Sequence, residues 1–395
     1  MFRHLLLAGL FASLSYQQSS NKFGNLKFSK NGTFHLNVLE DLHFGDSNIK
    51  DAHTLKVMET VLNAEPSDFV VINGDLLDRA STYRENRTAY IDQLLHPLVA
   101  RNLTWASTYG NHDHTVNTSA KLILETERKY PNSRTQQMVF GRESGVSNYY
   151  LPVYGSGCRG CNCTPELLIW FFDSRGGFYH KELKPDGSFV EQPSWVDGTV
   201  ATWFQQTNAR LVEKYNKVIP SIGFVHIPVN VAEAFGMKIG VDEHRQPGIN
   251  DTMPMAQQSY GFCADGRYNA TCDYGGQDIP FMQALASTPG LMAVFHAHEH
   301  GNTWCYKWDT LIPGMTIRGS GVNLCFGQHT GYGGAGDWIR GARQILITQS
   351  KLKNLELDTW IRLESGGVVG SVSLNSTYNK DFYPATPNQK TYIGK

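Results

Sequence analysis

The chain has 395 residues, enough for one large domain or two ordinary ones. Its apolar fraction of 41% and charged fraction of 18% are those of a soluble globular protein. A formal net charge of -1 argues against the basic excess of a nucleic-acid groove reader, so no nucleic-acid partner is expected.

Met1-Phe2-Arg3-His4 supplies a short positive start, and Leu5 to Leu14 is an apolar run broken only by small residues. With Ser13 and Ser15 ahead of a polar stretch, residues 1–20 read as a signal peptide. The run is too short to span a bilayer, and no later run approaches that length, so no membrane span is expected. Residues 21–395 then read as a single domain of α/β class, in which short apolar runs alternate with helix-like stretches.

Strands are expected at Phe34–Glu40, Asp68–Asn73, Leu103–Thr108, Leu167–Phe172, Ser221–Val225 and Leu291–Phe295. Helices are expected at Ala52–Ala64, Thr88–Arg101, Ala120–Tyr130 and Thr199–Asn216, the third stopping before Pro131. A late strand-rich segment, residues 344–395, carries runs at Gln344–Thr348, Leu355–Leu363 and Val368–Leu374. Residues 132–165 and 229–276 are rich in Gly, Pro, Asn and Ser and read as long surface insertions.

The chemistry lies just past the strands. Asp41 and His43 follow the first, Gly74-Asp75 the second, and Gly110-Asn111-His112-Asp113 the third. His226 follows Ser221–Val225, and His296-Ala297-His298-Glu299-His300 follows Leu291–Phe295. In open α/β sheets the ligand crevice lies beyond the carboxyl ends of strands, so these groups would meet there. Two close cations need a bridging carboxylate and several further donors, and mixed Asp, His and amide oxygen suit iron, manganese or zinc better than calcium. A histidine outside the coordination set would serve as general acid.

These motifs, in this order and rough spacing, resemble the calcineurin-like metallophosphoesterases over roughly residues 30 to 350. Glu40–Gly45, Trp105–Asp113 and Gly327–Gly334 look most like a fungal and plant subgroup related to purple acid phosphatases. The resemblance implies two mixed β-sheets packed face to face and flanked by helices, an αββα sandwich. It implies that Asp41, His43, Asp75 and His300 hold one ion, and that Asp75, Asn111, His226 and His298 hold the other. His112 would be the acid, oriented by Asp113, while a hydroxide bridging the ions attacks phosphorus in line. His296 and His298 form an alternative register for the last pair, but His300-Gly301-Asn302 better continues the family pattern. Where purple acid phosphatases place a ferric-binding tyrosine, this chain has Asp78, which reads as a loop or salt-bridge residue and leaves the metal pair open.

His329, in the glycine-rich run Gly327-Gln328-His329-Thr330-Gly331-Tyr332, has a phosphate-cradling reading and a surface-turn reading. His329, Tyr332 and Arg343 are candidate substrate contacts, and Arg175 a further candidate clamp, while His114 reads as solvated. Sequons start at Asn31, Asn86, Asn102, Asn117, Asn162, Asn250, Asn269 and Asn375, where chance would give roughly three. They favour a glycosylated protein that is secreted or delivered to a vacuole or wall. Of seven cysteines, Cys263 with Cys272 and Cys305 with Cys325 are plausible bridges. Cys158, Cys161 and Cys163 can make one internal pair, with a zinc knuckle as the competing reading. The functional expectation is phosphomonoester hydrolysis on a small-molecule or protein substrate, with phosphodiester cleavage and a catalytically silent binding protein as alternatives.

Overall fold

The computed structural model describes residues 24–79, 87–160 and 162–393, so the signal-peptide reading, Asn86 and Cys161 lie outside the described residues. In chain order the elements are β1 (Leu26–Lys27), β2 (Thr33–Leu39), α1 (Asn48–Ala64), β3 (Phe69–Asn73), α2 (Arg87–Ala100), β4 (Trp105–Thr108), α3 (Ala120–Glu127), β5 (Tyr149–Tyr154) and β6 (Pro165–Phe172). A hairpin, β7 (Phe178–Leu183) and β8 (Phe189–Glu191), precedes α4 (Gly198–Tyr215), β9 (Ser221–Val225), α5 (Asn230–Ala234), α6 (Ile279–Ser287) and β10 (Leu291–His296). The chain closes with β11 (Cys305–Trp308), β12 (Val322–Phe326), β13 (Gly341–Thr348), β14 (Leu357–Leu363) and β15 (Val368–Leu374).

Two large sheets result. One has seven strands in the order β1-β5-β6-β9-β10-β12-β11, the other six in the order β15-β14-β13-β2-β3-β4. Strict alternation along each strand divides the apolar side chains between two faces. Phe34, Leu36 and Val38 of β2 meet Ile169 and Phe171 of β6 and Phe224 of β9 between the sheets. On the outer face of the six-stranded sheet, Val70 and Ile72 pack on Val57 and Val61 of α1 and Leu94 of α2. On the outer face of the other, Trp170 and Phe172 pack on Phe204 of α4 and Phe281 of α6. The architecture is the expected αββα sandwich.

Within each sheet the central strands run parallel: β2-β3-β4 in one and β6-β9-β10-β12 in the other. Their carboxyl ends therefore emerge together. Just inside those ends, Tyr149, Phe171, Phe224 and Phe295 sit at paired positions on four successive strands. Their rings stack with centroids 4.5, 5.6 and 5.5 Å apart. Each such pair adds about 0.5–1.5 kcal/mol beyond its burial, so the row fixes the relative height of the strands that carry the site.

Several boundaries and one whole assignment differ from expectation. α1 begins before Ala52 because the Ser47 hydroxyl accepts from Lys50 N and caps it there. β10 extends one residue to His296, which pairs with Phe326. Residues 132–165 are not only a surface insertion: β5 lies inside the larger sheet, with Tyr149, Leu151 and Val153 in the inter-sheet core. Its alternating apolar residues were masked by the turn formers around them. The segment 229–276 carries the short helix α5 and buries Val231, Phe235 and Met255 against the larger sheet.

Disulfides join Cys158 to Cys163, Cys263 to Cys272, and Cys305 to Cys325. The last links directly paired positions on β11 and β12. Of the described sequons, Asn31, Asn102, Asn162 and Asn269 are exposed and Asn117, Asn250 and Asn375 half-buried, with Asn250 Oδ1 accepting from the Trp304 indole. Among the described residues, no helix is long and apolar enough to cross a membrane. Replacing Cys305 and Cys325 together by Ala should lower stability by about 2–4 kcal/mol in a denaturant titration, and non-reducing peptide mapping should recover all three bridges.

Candidate metal centre

Past the strand ends the backbone turns sharply. Asp41, His43, Asp75 and His298 all adopt left-handed conformations, with φ of 51°, 47°, 49° and 71°. Such residues cost about 1–3 kcal/mol each and persist where surrounding structure holds them. Here Asp41 N donates to Gly74 O, His43 N to Asp75 O and Phe44 N to Leu76 O, so the two loops stay paired beyond β2 and β3. Gly110 allows the third loop to close in. A Cβ there would lie 2.3 Å from Asp75 Oδ1 and 2.6 Å from His226 Cδ2.

The side chains of these loops converge. His226 Nε2 lies 3.1 Å from Asp75 Oδ2 and 3.8 Å from Asp41 Oδ1. His300 Nε2 lies 3.4 Å from Asp41 Oδ1 and 3.4 Å from His43 Nε2. His43 Nε2 lies 3.8 Å from Asp75 Oδ2. Of four donor clusters among the described residues, two share Asp75, one with Asp41 and His43 and one with His226 and His298, while His43 also groups with His300 and His329 and with Asp78 and His112. Each imidazole turns its other nitrogen outward. His226 Nδ1 contacts Asn73 O at 3.0 Å, His300 Nδ1 contacts Ala335 O at 2.6 Å, and His43 Nδ1 faces Asp78 Oδ2 at 3.5 Å. An Nδ1–H donated to Asn73 O and to Ala335 O leaves the Nε2 lone pairs of His226 and His300 facing inward, the arrangement of metal-ligating histidines. Asn111 Oδ1 is buried without a hydrogen-bond partner. His298 and His300 reach the cluster, whereas His296 is fully buried within β10 against the Phe326 ring.

The electrostatics ask for positive charge. Burial opposes the Asp75 carboxylate, yet His226, His112 and His43 hold its pKa well below the usual range. Burial also opposes charge on His226, but Asp75 and Asp41 push it up to about 10. A proton on His226 thus answers the two carboxylates, and a cation facing Nε2 would answer them equally well. Burial and then His226 press His298 down to about 3, leaving it the neutral imidazole a metal requires. The chemistry of this donor set fits two transition-metal ions.

The structure redraws several expected roles. Asp113 makes no hydrogen bond or ion pair with the His112 ring. Its Oδ1 accepts from Leu76 N and Leu77 N, and its Oδ2 from Gly110 N, so it locks the second loop to the third. Asp78 faces His112 instead, with Oδ2 3.7 Å from Nδ1. Arg343 is buried between the sheets, almost without exposure, and its guanidinium donates to Phe326 O, Thr303 O and Thr359 Oγ1. The Tyr332 hydroxyl donates to Glu364 Oε2, and its ring lies in the core beneath α1. Arg175 is buried and donates to Trp195 O. His114 is not solvated but buried, 2.9 Å from Asp173 Oδ1. The 327–334 loop is not a surface turn. Thr330 N donates to Glu40 O, and a Cβ at Gly331 would lie 2.3 Å from Asp41 O. This packing places the His329 ring 3.8 Å from that of His300, and neither of its nitrogens has a well-aligned hydrogen-bond partner.

The model of the calcineurin-like phosphoesterase family matches residues 41–302. The chain belongs to that family. It is 24% identical to the probable inactive purple acid phosphatase 29 of Arabidopsis thaliana over 86% of this chain and 84% of the relative. It is 21% identical to phosphatase DCR2 of Saccharomyces cerevisiae over 86% of this chain and 55% of that protein. Among solved structures, a dimetal phosphatase from Danio rerio superposes with a TM-score of 0.50 at 11% identity, over 87% of this chain and 98% of its own, a likeness of fold.

Around this calcineurin-like centre the buried His114–Asp173 pair holds the third loop to the end of β6, since Asp173 also accepts from Val146 N and Arg175 N. Burial opposes charge on both, but each partner more than offsets it, so the His114 pKa is raised and the Asp173 pKa lowered. The pair therefore stabilises fully between the ordinary aspartate and histidine values of about 4 and 6.5. That contribution is lost as pH rises through the raised histidine pKa or falls through the depressed aspartate pKa. His114→Ala should cost about 3 kcal/mol near pH 5.5 and less near pH 9, read from denaturant midpoints across pH.

Proposed function

We propose that this chain is a phosphomonoesterase dependent on two metal ions, exported to an extracellular, vacuolar or cell-wall compartment. The observation that carries the reading is Asp75, shared between two Asp/His groups whose inward nitrogens converge on it. Asp41, His43, Asp75 and His300 would hold one ion, and Asp75, Asn111, His226 and His298 the other. Ions of iron, manganese or zinc bound there would lower the pKa of a water and stabilise charge on the entering and leaving oxygens.

The chain's own groups supply the rest. His112 Nδ1 faces Asp78, and the side chain keeps about a quarter of its surface, 24%, open to solvent, which suits proton delivery to a leaving alkoxide. Burial lowers its pKa to about 4, with Asp75 pulling the other way. A phosphate dianion arriving beside it favours the imidazolium further. His329, which groups with His43 and His300, is the remaining candidate for contact with the phosphoryl group or an ion.

Three disulfides suit an oxidising compartment. The names of plant relatives favour a second reading, a protein that binds metal without turnover. That reading requires a lost donor or acid, and Asp41, His43, Asp75, Asn111, His112, His226, His298 and His300 are all present.

Asp75→Asn should abolish hydrolysis of phenyl phosphate and lower bound metal by elemental analysis. Near-normal turnover with both ions retained would overturn the shared-bridge assignment. His112→Ala should slow alkyl esters about 10²- to 10⁴-fold, slow p-nitrophenyl phosphate much less, and leave metal content unchanged. Asp78→Asn removes the carboxylate facing that imidazole and should move the alkaline limb of the kcat/KM profile to lower pH. A diester assayed beside the matching monoester distinguishes phosphodiesterase activity.

A further inference from the structure

A cavity of about 250 Å³ opens directly beside the candidate donors Asn111 and His298. One wall is the start of the β7–β8 hairpin, with Phe178; the other is the loop that carries Tyr260, Phe262 and Tyr268. We propose that this cavity receives the leaving group of the phosphomonoester, and that the leaving group carries a planar aromatic ring. The inference rests on the phosphoesterase reading and adds the substrate class to it.

The aromatic wall is built onto the centre. Ala256 N donates to Glu299 Oε1, between His298 and His300 in sequence. Gln258 Nε2 donates to Ile227 O, next to His226, and Gln258 Oε1 accepts from Val196 N. The Cys263–Cys272 bridge closes the loop, and the Phe262 ring packs edge-on against Trp195 and Tyr268, with centroids 5.0 and 5.4 Å away. On the opposite wall Gly177 sits so close to the third loop that a Cβ would lie 2.4 Å from Asn111 O. Both walls are therefore registered to donor residues, and a phosphate at those donors would have this space beside it.

The lining selects the occupant by its chemistry. Tyr260 and Tyr268 remain 48% and 51% exposed, large rings held at a cavity mouth without being consumed in the core. Among the described lining residues, His298 aside, Arg79 is the single cation and Glu191 the single acid. Arg79 lies with its guanidinium 5.5 Å from the Phe178 centroid. Such a lining offers ring faces and little charge, which suits a flat uncharged ring better than a polyphosphate tail or an acidic peptide.

AMP and ribose 5-phosphate share the same leaving alkoxide and differ only in the base, so their comparison isolates the cavity from the chemistry. With metal-loaded protein, kcat/KM for AMP should exceed that for ribose 5-phosphate by on the order of tenfold. Tyr260→Ala with Tyr268→Ala should bring the ratio toward one by lowering AMP alone, and Tyr260→Phe should preserve it. A wild-type ratio near one, or a ratio that survives the double variant, overturns the inference. Calorimetric binding of the two compounds is measured alongside. If no ester is hydrolysed the phosphoesterase reading falls, and the cavity assignment then stands or falls on the binding ratio alone.

Discussion

Two carboxylates, Asp41 and Asp75, are buried within a few ångströms of one another's imidazole partners, with almost no exposure to water. Like charges in a low-dielectric interior repel, and burial penalises each. Only positive charge placed between them makes the arrangement tolerable, and His226, His300 and His43 surround them. Much of the local structure serves this one demand. The left-handed backbone at Asp41, His43 and Asp75 aims the side chains inward, and glycine at 110 lets the third loop approach. Asp113 spends its carboxylate on three backbone amides that tie those loops together.

The same demand explains a feature one layer deeper. Glu40 precedes Asp41 and is also buried, and burial followed by Asp41 raises its pKa well above the ordinary range. A third carboxylate charge so near would add to the repulsion, and a neutral Glu40 does not. Arg343 opposes that shift only in part, and its guanidinium donates to the backbone carbonyls of Phe326 and Thr303. Arg343 thus joins the two sheets behind the site.

What the sequence revealed follows from range. The central parallel strands are buried on both faces and read as continuous apolar runs, so β3 and β9 were legible almost residue by residue. The donors just past them were legible because strand ends are where a parallel fold presents its side chains. β5 was hidden because its apolar positions alternate with Tyr and Pro inside a turn-rich stretch. α6 and β12 lie in stretches of mixed composition and went unread as elements. Side-chain direction was not legible at all. His114 pairs with Asp173 across 59 positions, and His329 meets His300 only because the 327–334 loop packs on residues 40–43. No local pattern encodes such meetings.

Asp78 shows how one position can change the character of a family's centre. A tyrosine there would direct a phenolate at a ferric ion. The aspartate instead lies 3.5 Å from His43 Nδ1 and 3.7 Å from His112 Nδ1, on the side of the His43 ring away from Asp41. From there it faces the His43 nitrogen opposite the one that points toward Asp41 and Asp75. It also favours the charged form of His112. One carboxylate thereby faces both a candidate ligand and the candidate acid.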